Sequence, residues 1–333
     1  MKNIPLIVLL ISFAVIACKN SKDDKTVNNQ AEISSKSEFV SEFNKDSAYD
    51  FVDRQVAFGP RVPGSVAHEK CAEYLYDELQ KFADTAIIQK FKARVYNGKT
   101  FDSKNIIGSY NLNAQKRVLL CSHWDSRPVA DHDPNPDNRN TPIDGANDGA
   151  SGVGVLLEIA RQLSINRPDI GIDIVLFDIE DYGPPEDYQN NSTGEEWGLG
   201  AQYWAQNPHV FGYSARYGIL LDMVGNADTR FYQEQFSMYF AQDVINKVWN
   251  TAHKLGYNDN FIKEMGIPVN DDHLYVNKYA KIPTIDIIHQ DVDSPNHSFY
   301  EHWHTLNDNM DAIDANSLKI VGDVVLTTIM NER

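Results

Sequence analysis

The chain has 333 residues, 42% of them hydrophobic, and carries a formal charge of −17 at pH 7. That is enough apolar material for one large α/β domain or two small ones with a real core. So acidic a chain has no basic stripe with which to neutralise phosphates, which argues against nucleic-acid binding.

The first residues stand apart from the fold. Met1-Lys-Asn is a short basic start, and residues 4–17 form an apolar stretch too short to span a bilayer. It ends in Val15-Ile-Ala-Cys18, which resembles a bacterial lipobox. Residues 1–17 are therefore expected to be a lipoprotein signal peptide, with Cys18 lipidated as the new N-terminus. Residues 18–37 are polar and aperiodic and read as a flexible tether. The expected product is an exported bacterial lipoprotein, anchored to the membrane through Cys18 and facing the periplasm, with its body in residues 38–333. Of the other cysteines, Cys71 falls in a helical pattern and Cys121 in an apolar strand, so both read as buried thiols; a disulfide is left open.

Within the body, residues 38–58 predict one or two amphipathic helices, and Phe58-Gly-Pro-Arg61 begins a turn-rich break. A helix is predicted over 66–82, strands over 85–96 and 104–110, and a strand buried on both faces over 117–124. The polar loop 127–144 is long enough to be functional or mobile, and its prolines interrupt any calcium-loop spacing, so it reads as a solvated rim. A helix over 148–163 and a buried strand over 171–178 follow, giving a parallel crossover. Further elements are a short helix over 198–206, a strand over 217–222, a helix over 241–255, a strand over 282–288 and a closing helix over 312–330. Together they predict a single doubly wound α/β domain, its central sheet mostly parallel and flanked by helices on both faces.

The chemistry-bearing residues gather at the carboxyl ends of the predicted central strands, where open α/β sheets place their ligands. One strand ends in His123, the next in Glu180-Asp181, and a third in Asp222. The glycine-rich segment Asp144-Gly-Ala-Asn-Asp-Gly-Ala-Ser-Gly152 places Asp148 at a helix start. Histidine and carboxylates converging in this way predict a metal centre. Asp125 is positioned to orient His123 through its second ring proton. Glu180 and Asp181 are adjacent, so in extended backbone they point to opposite sides and take different jobs. Near the C-terminus Glu301-His-Trp-His-Thr305 offers His302 and His304, and Asp271-Asp272-His273 is a further polar cluster. His289 and His297 read equally well as ordinary loop or core residues. There is no Gly-x-Ser-x-Gly elbow, no His-Glu-x-x-His and no Gly-x-Gly-x-x-Gly, which disfavours serine-esterase, helical zinc-protease and dinucleotide-binding readings.

From about Phe51 onward the chain resembles the M28 metallopeptidase superfamily, and more closely its glutaminyl-peptide cyclotransferase branch. The resemblance is carried by Phe58-Gly-Pro-Arg61, Ser122-His-Trp-Asp-Ser126, Gly145-Ala-Asn-Asp-Gly-Ala-Ser-Gly152, Phe177-Asp-Ile-Glu-Asp181, Leu221-Asp222, Asp271-Asp-His273 and Trp303-His-Thr305. It implies one Zn2+ held by Asp148, Asp181 and His304, with Glu180 as acid and base. It further implies a hydrogen-bonded pair of Asp222 and Asp272 that handles protons. Trp303, and less firmly Trp197, would line the pocket for a peptide or protein N-terminus. The resemblance makes Asp181 one methylene shorter than the glutamate often found there, with Glu186 or Glu195 as substitutes should it not reach.

Two rivals remain open at this point. A two-zinc aminopeptidase would add His123 and Asp222 as ligands of a second metal bridged by Asp148. A lipid-anchored binding protein on a dead peptidase scaffold would require lost ligands or a lost acid/base, and all are present.

Overall fold

Residues that alternate along the strands separate onto two faces of one sheet. In β3 (Arg117–His123) Val118 and Leu120 pack to one side, while Leu119 and Cys121 pack to the other. β4 (Gly171–Phe177) does the same with Ile174 and Leu176 against Val175 and Phe177. Both faces are therefore covered, as a near-continuous apolar run requires. The structure, a computed structural model, describes residues 39, 41–185, 187–188 and 195–332. The proposed signal peptide, Cys18 and the tether lie outside the described residues. Residues Glu38–Arg333 make up one compact unit.

The remaining strands of the sheet are β1 (Thr85–Arg94), β2 (Thr100–Tyr110), β5 (Tyr217–Asp222) and β8 (Thr284–Ile288). The order is β1-β2-β4-β3-β5-β8. β1 and β2 pair antiparallel, as do β2 and β4, whereas β4, β3, β5 and β8 run parallel. The carboxyl ends of those four parallel strands thus open on one edge. Helices α1 (Lys45–Val56), α2 (Val66–Phe82), α3 (Ala150–Ile165), α5 (Gln235–Lys254) and α7 (Ala315–Met330) pack into the larger core. On the opposite face α4 (Leu199–Gln206) and α6 (Asp272–Tyr275) contribute Ala201, Trp204 and Tyr275 to a smaller one. The predicted doubly wound α/β layout is what forms.

Local signals account for most helix starts. Asn44 caps α1 by accepting the N–H groups of Asp46 and Ser47, and Ser65 caps α2 through His68 N–H. α5 begins earlier than predicted, capped by Glu234, and is broken by non-helical geometry at Ala241, where the predicted helix started. A two-stranded parallel pair, β6 (Phe231–Gln233) with β7 (Phe261–Met265), was not foreseen. Cys71 and Cys121 are both buried and free.

Candidate active site

The glycine-rich turn is forced by close approach. A Cβ on Gly149 would lie 2.5–2.7 Å from the carbonyl oxygen and ring of His123, and one on Gly152 would meet the Leu221 carbonyl at 2.4 Å. Only glycine lets the start of α3 sit this close to the ends of β3 and β5. The turn is also held from outside. The Arg61 guanidinium donates to the carbonyls of Asp144 and Gly145, which gives the Gly-Pro-Arg break its purpose. Asp308 accepts the N–H groups of Asn147 and Asp148 at 2.7 and 3.2 Å. Ser151 Oγ accepts Val224 N–H, tying the same turn to the chain leaving β5.

This scaffold aims Asp148 between two histidines. Its Oδ1 lies 3.0 Å from His123 Nε2, and its Oδ2 lies 3.6 Å from His304 Nε2. On the His304 side, Asp181 Oδ1 is 3.3 Å from the same Nε2. On the His123 side, Asp222 Oδ1 is 3.2 Å from Nε2. Ile179, Met223 and His304 have φ of 55°, 48° and 56°, left-handed geometry that costs a non-glycine residue about 1–3 kcal/mol. Each is a site residue or the immediate neighbour of one, so that cost is spent on aiming Glu180, Asp222 and His304.

Ligand atoms of Asp148, Asp181 and His304 lie within 4.8 Å of one another, and all three residues are buried. Asp181 Oδ2 is buried without a hydrogen-bond partner. Two carboxylates and one imidazole suit zinc, and three protein ligands leave a fourth position for a reacting group. The set fits a catalytic zinc. Asp181 thus reaches the centre despite its length, and Glu195 is engaged elsewhere by Lys278 and Tyr275. Glu186 lies outside the described residues. His123, Asp148 and Asp222 form a second triad of the same compactness.

Several sequence expectations are corrected. Asp125 flanks His123 Nδ1 as expected, but at 3.6 Å, beyond ordinary hydrogen-bond length. Asp125 instead accepts the backbone N–H groups of Glu180 and Asp181, at 2.9 and 3.2 Å. Those two residues follow β4 in a bend rather than in extended backbone, so both line one cavity instead of pointing apart. Asp271, the extended cap of α6, lines that cavity, whereas Asp272 is its first helical residue and does not. Both carboxylate oxygens of Asp272 are buried without a partner, so the pair with Asp222 is not formed. Asp271, His273 and Asp286 of β8 form a buried cluster with polar atoms within 4.8 Å of one another, and His273 bonds Glu234 at 3.1 Å. The loop 127–144 is a solvated rim over most of residues 134–142, but its first part turns inward. Asp133 is buried and accepts Leu306 N–H, and Asp131 sits 3.3 Å from His304 Nδ1. Arg127, buried and paired with both oxygens of Asp131, was missed in the sequence. His302 lies beside Glu301, and His289 pairs with Asn226, so neither joins the site.

Burial dominates the electrostatics. Glu180 is pushed well above the usual carboxylate range, first by burial and then by the charges of Asp271, Asp181 and Asp272. Asp222 is pushed up to about 8 by burial, with Asp148 adding to it and His123 opposing. Asp148 shifts down, because hydrogen bonding and charge from His123 outweigh its burial. The cavity, of about 280 Å³, is walled by Trp197, Ile267, Val269, Phe299 and Trp303, with Asp148, Glu180, Asp181 and Asp222 also lining it. Trp303 stacks on His304 at 3.8 Å between ring centres.

Residues 105–329, more than half of the chain, match peptidase family M28. The chain belongs to that family. Its fold lies close to solved structures. One is the Bacteroides thetaiotaomicron glutaminyl cyclase bound to N-acetylhistamine, 50% identical, with a TM-score of 0.86 over 89% of this chain and 100% of that one. Another is a Zn-dependent exopeptidase from Parabacteroides distasonis, 49% identical, with a TM-score of 0.86 over 88% of this chain and 100% of that one. The Bos taurus glutaminyl-peptide cyclotransferase is 23% identical over 81% of this chain and 78% of its own length.

Proposed function

We propose that this M28 protein is a zinc-dependent glutaminyl-peptide cyclotransferase, converting the N-terminal glutamine of peptides or proteins to pyroglutamate with release of ammonia. The observation that carries the reading is the cavity. It is small, walled by Trp197, Phe299 and Trp303, and bears carboxylates together with the proposed zinc triad. Such a space suits one short side chain with a polar end. Likeness to a glutaminyl cyclase over nearly the whole chain supports it.

A single zinc held by Asp148, Asp181 and His304 would supply a Lewis acid to the γ-carboxamide carbonyl. Glu180 takes a proton from the α-amine as that nitrogen attacks the carboxamide carbon. It returns the proton to the departing nitrogen, so one C–N bond forms, one breaks and ammonia leaves. Its raised affinity for protons suits a group that must both hold and release one. Asp222 and Asp271 line the same cavity, where an ionised carboxylate accepts amine N–H and a protonated one donates to the carboxamide. A peptide seated against the half-buried rings of Trp197, Phe299 and Trp303 would displace water, which favours cyclisation over hydrolysis.

The second triad, His123, Asp148 and Asp222, favours the alternative of a two-metal aminopeptidase in which Glu180 activates water. Incubation with Gln-initiated and Leu-initiated peptides separates the readings. Ammonia loss from the first with no cleavage of the second is expected; release of free leucine without ammonia would overturn the cyclase.

We further propose that the protein is exported and held at the membrane through a lipid on Cys18, facing the periplasm. The basis is the apolar segment ending in Val15-Ile-Ala-Cys18. C18S is expected to abolish incorporation of labelled fatty acid and release the protein to the soluble fraction; unchanged fractionation would contradict it.

A further inference from the structure

One buried cation touches three components of the site at once. Arg127, in the loop that follows β3, donates through Nε and Nη2 to the two oxygens of Asp131, at 2.8 and 2.6 Å. Its Nη1 reaches the backbone carbonyl of Asp181 at 3.1 Å and the carboxylate Oδ1 at 3.4 Å. Its Cζ lies 4.9 Å from the ring centre of Trp197. Asp131 in turn stands 3.3 Å from His304 Nδ1, the ring nitrogen that faces away from Asp148. Arg127 is 1% exposed.

We propose that Arg127 is the positioning residue of the metal centre: one guanidinium fixes Asp181 directly, His304 through Asp131, and the pocket wall through Trp197. The planar fork explains why an arginine is needed. Two of its nitrogens span a carboxylate in parallel, and the third remains free to hold Asp181, a division of labour that a single ammonium cannot make. Asp181 lies in a bend beyond the sheet, and His304 lies in a turn far along the chain, so neither is held in place by a strand. Asp131 stands at ion-pair distance from the outer nitrogen of the imidazole, and partners in that position bias ligand orientation. Trp197 ties the same device to the substrate. Its ring also lies parallel to that of His304, 6.5 Å away.

The inference rests on Asp148, Asp181 and His304 as zinc ligands, which both enzymatic readings share, and does not depend on which reaction follows. Zinc affinity is read by competition with a chromophoric chelator, and Michaelis parameters are read at saturating zinc. R127Q is expected to weaken zinc binding by about 10–100-fold, the usual cost of losing an outer partner, and to raise KM through the loosened Trp197. R127K keeps the charge but not the fork, and is expected to recover little of either loss. D131N keeps Arg127 and cuts only the path to His304, so it is expected to weaken zinc binding with KM little changed. Combined with R127Q it should add less than the product of the two separate losses. Should R127Q fail to fold, R127K and D131N decide the matter, with the melting temperature of the zinc-free protein confirming that each is folded.

Wild-type zinc affinity in D131N, or full recovery of affinity and KM in R127K, would overturn the proposal, the latter reducing Arg127 to a compensating charge. H304N tests the ligand assignment separately, since unchanged zinc binding there would refute the assignment whatever Arg127 does. Tight zinc binding without ammonia release would refute the cyclase and leave this inference standing.

Discussion

Asp148 divides the site into two unlike sides. Toward His304, the acids Asp181 and Asp131 are matched by the guanidinium of Arg127, which contacts both. Toward His123, no arginine among the described residues pairs with Asp222 or Asp271, and Asp286 and Asp272 are buried as well. Burial pushes Asp222, Asp271, Asp272 and Asp286 upward, and their mutual charges reinforce it. Arg127 and His304 hold Asp131 well below its ordinary range and oppose the upward push of burial and Asp148 on Asp181, whereas the acids on the other side meet further acids instead. On the proposed reading the first side holds zinc and the second holds and passes protons, although each presents a histidine and an aspartate to Asp148.

Four predictions would break or sharpen that contrast. The largest effect is expected from E180Q, which removes the proton carrier without touching a ligand. The turnover number for ammonia release should fall by about 10²–10⁴-fold, with chelator-measured zinc affinity preserved. The histidines come next. H304N should weaken zinc binding by more than the roughly 10–100-fold that loss of an outer partner costs, while H123N should leave it nearly unchanged. Equal losses would make the two sides equivalent.

A third prediction concerns the support behind the acid side. Glu234 is held down to about 2, against burial, by His273 and by the N–H groups of Ser237 and Phe236. A depressed carboxyl stabilises the fold above its ordinary value and loses that contribution as pH falls through the depressed one. E234Q should therefore destabilise at pH 7 by on the order of 3 kcal/mol. Its deficit against the parent in urea titrations should shrink as pH drops from about 4.5 towards 2. The smallest effect is reserved for the neighbouring acids. D271N should lower turnover by on the order of tenfold, well short of the direct proton carrier, while D272N should leave turnover close to wild type. The reverse order would restore Asp272 as the partner of Asp222.

The zinc side and the acid side also differ in how far the sequence revealed them. β3, β4 and β5 are buried on both faces, so their apolar runs were unmistakable and located His123, Glu180, Asp181 and Asp222 at their ends. The glycine-rich turn identified Asp148 because close approach leaves a compositional mark. Choosing between Asp271 and Asp272 needed the backbone. One is an extended cap and the other the first helical residue, and a pair of adjacent acids carries no sign of which turns inward. Arg127 and Asp131 were hidden by their setting. A polar loop reads as solvent-exposed until its partners, Asp181 and His304, are known to come from distant parts of the chain. β6 is three residues long and β7 is mostly exposed, so neither shows the alternation that marks a strand.

The zinc stoichiometry of cyclisation tests the contrast most directly. Metal-free protein would be titrated with zinc while ammonia release from a Gln-initiated peptide is followed. One zinc per chain at full activity, retained in H123N, is the predicted result. Activity that requires two equivalents, or that disappears with His123 in step with a second zinc, would contradict the division of the site into a metal side and a proton side.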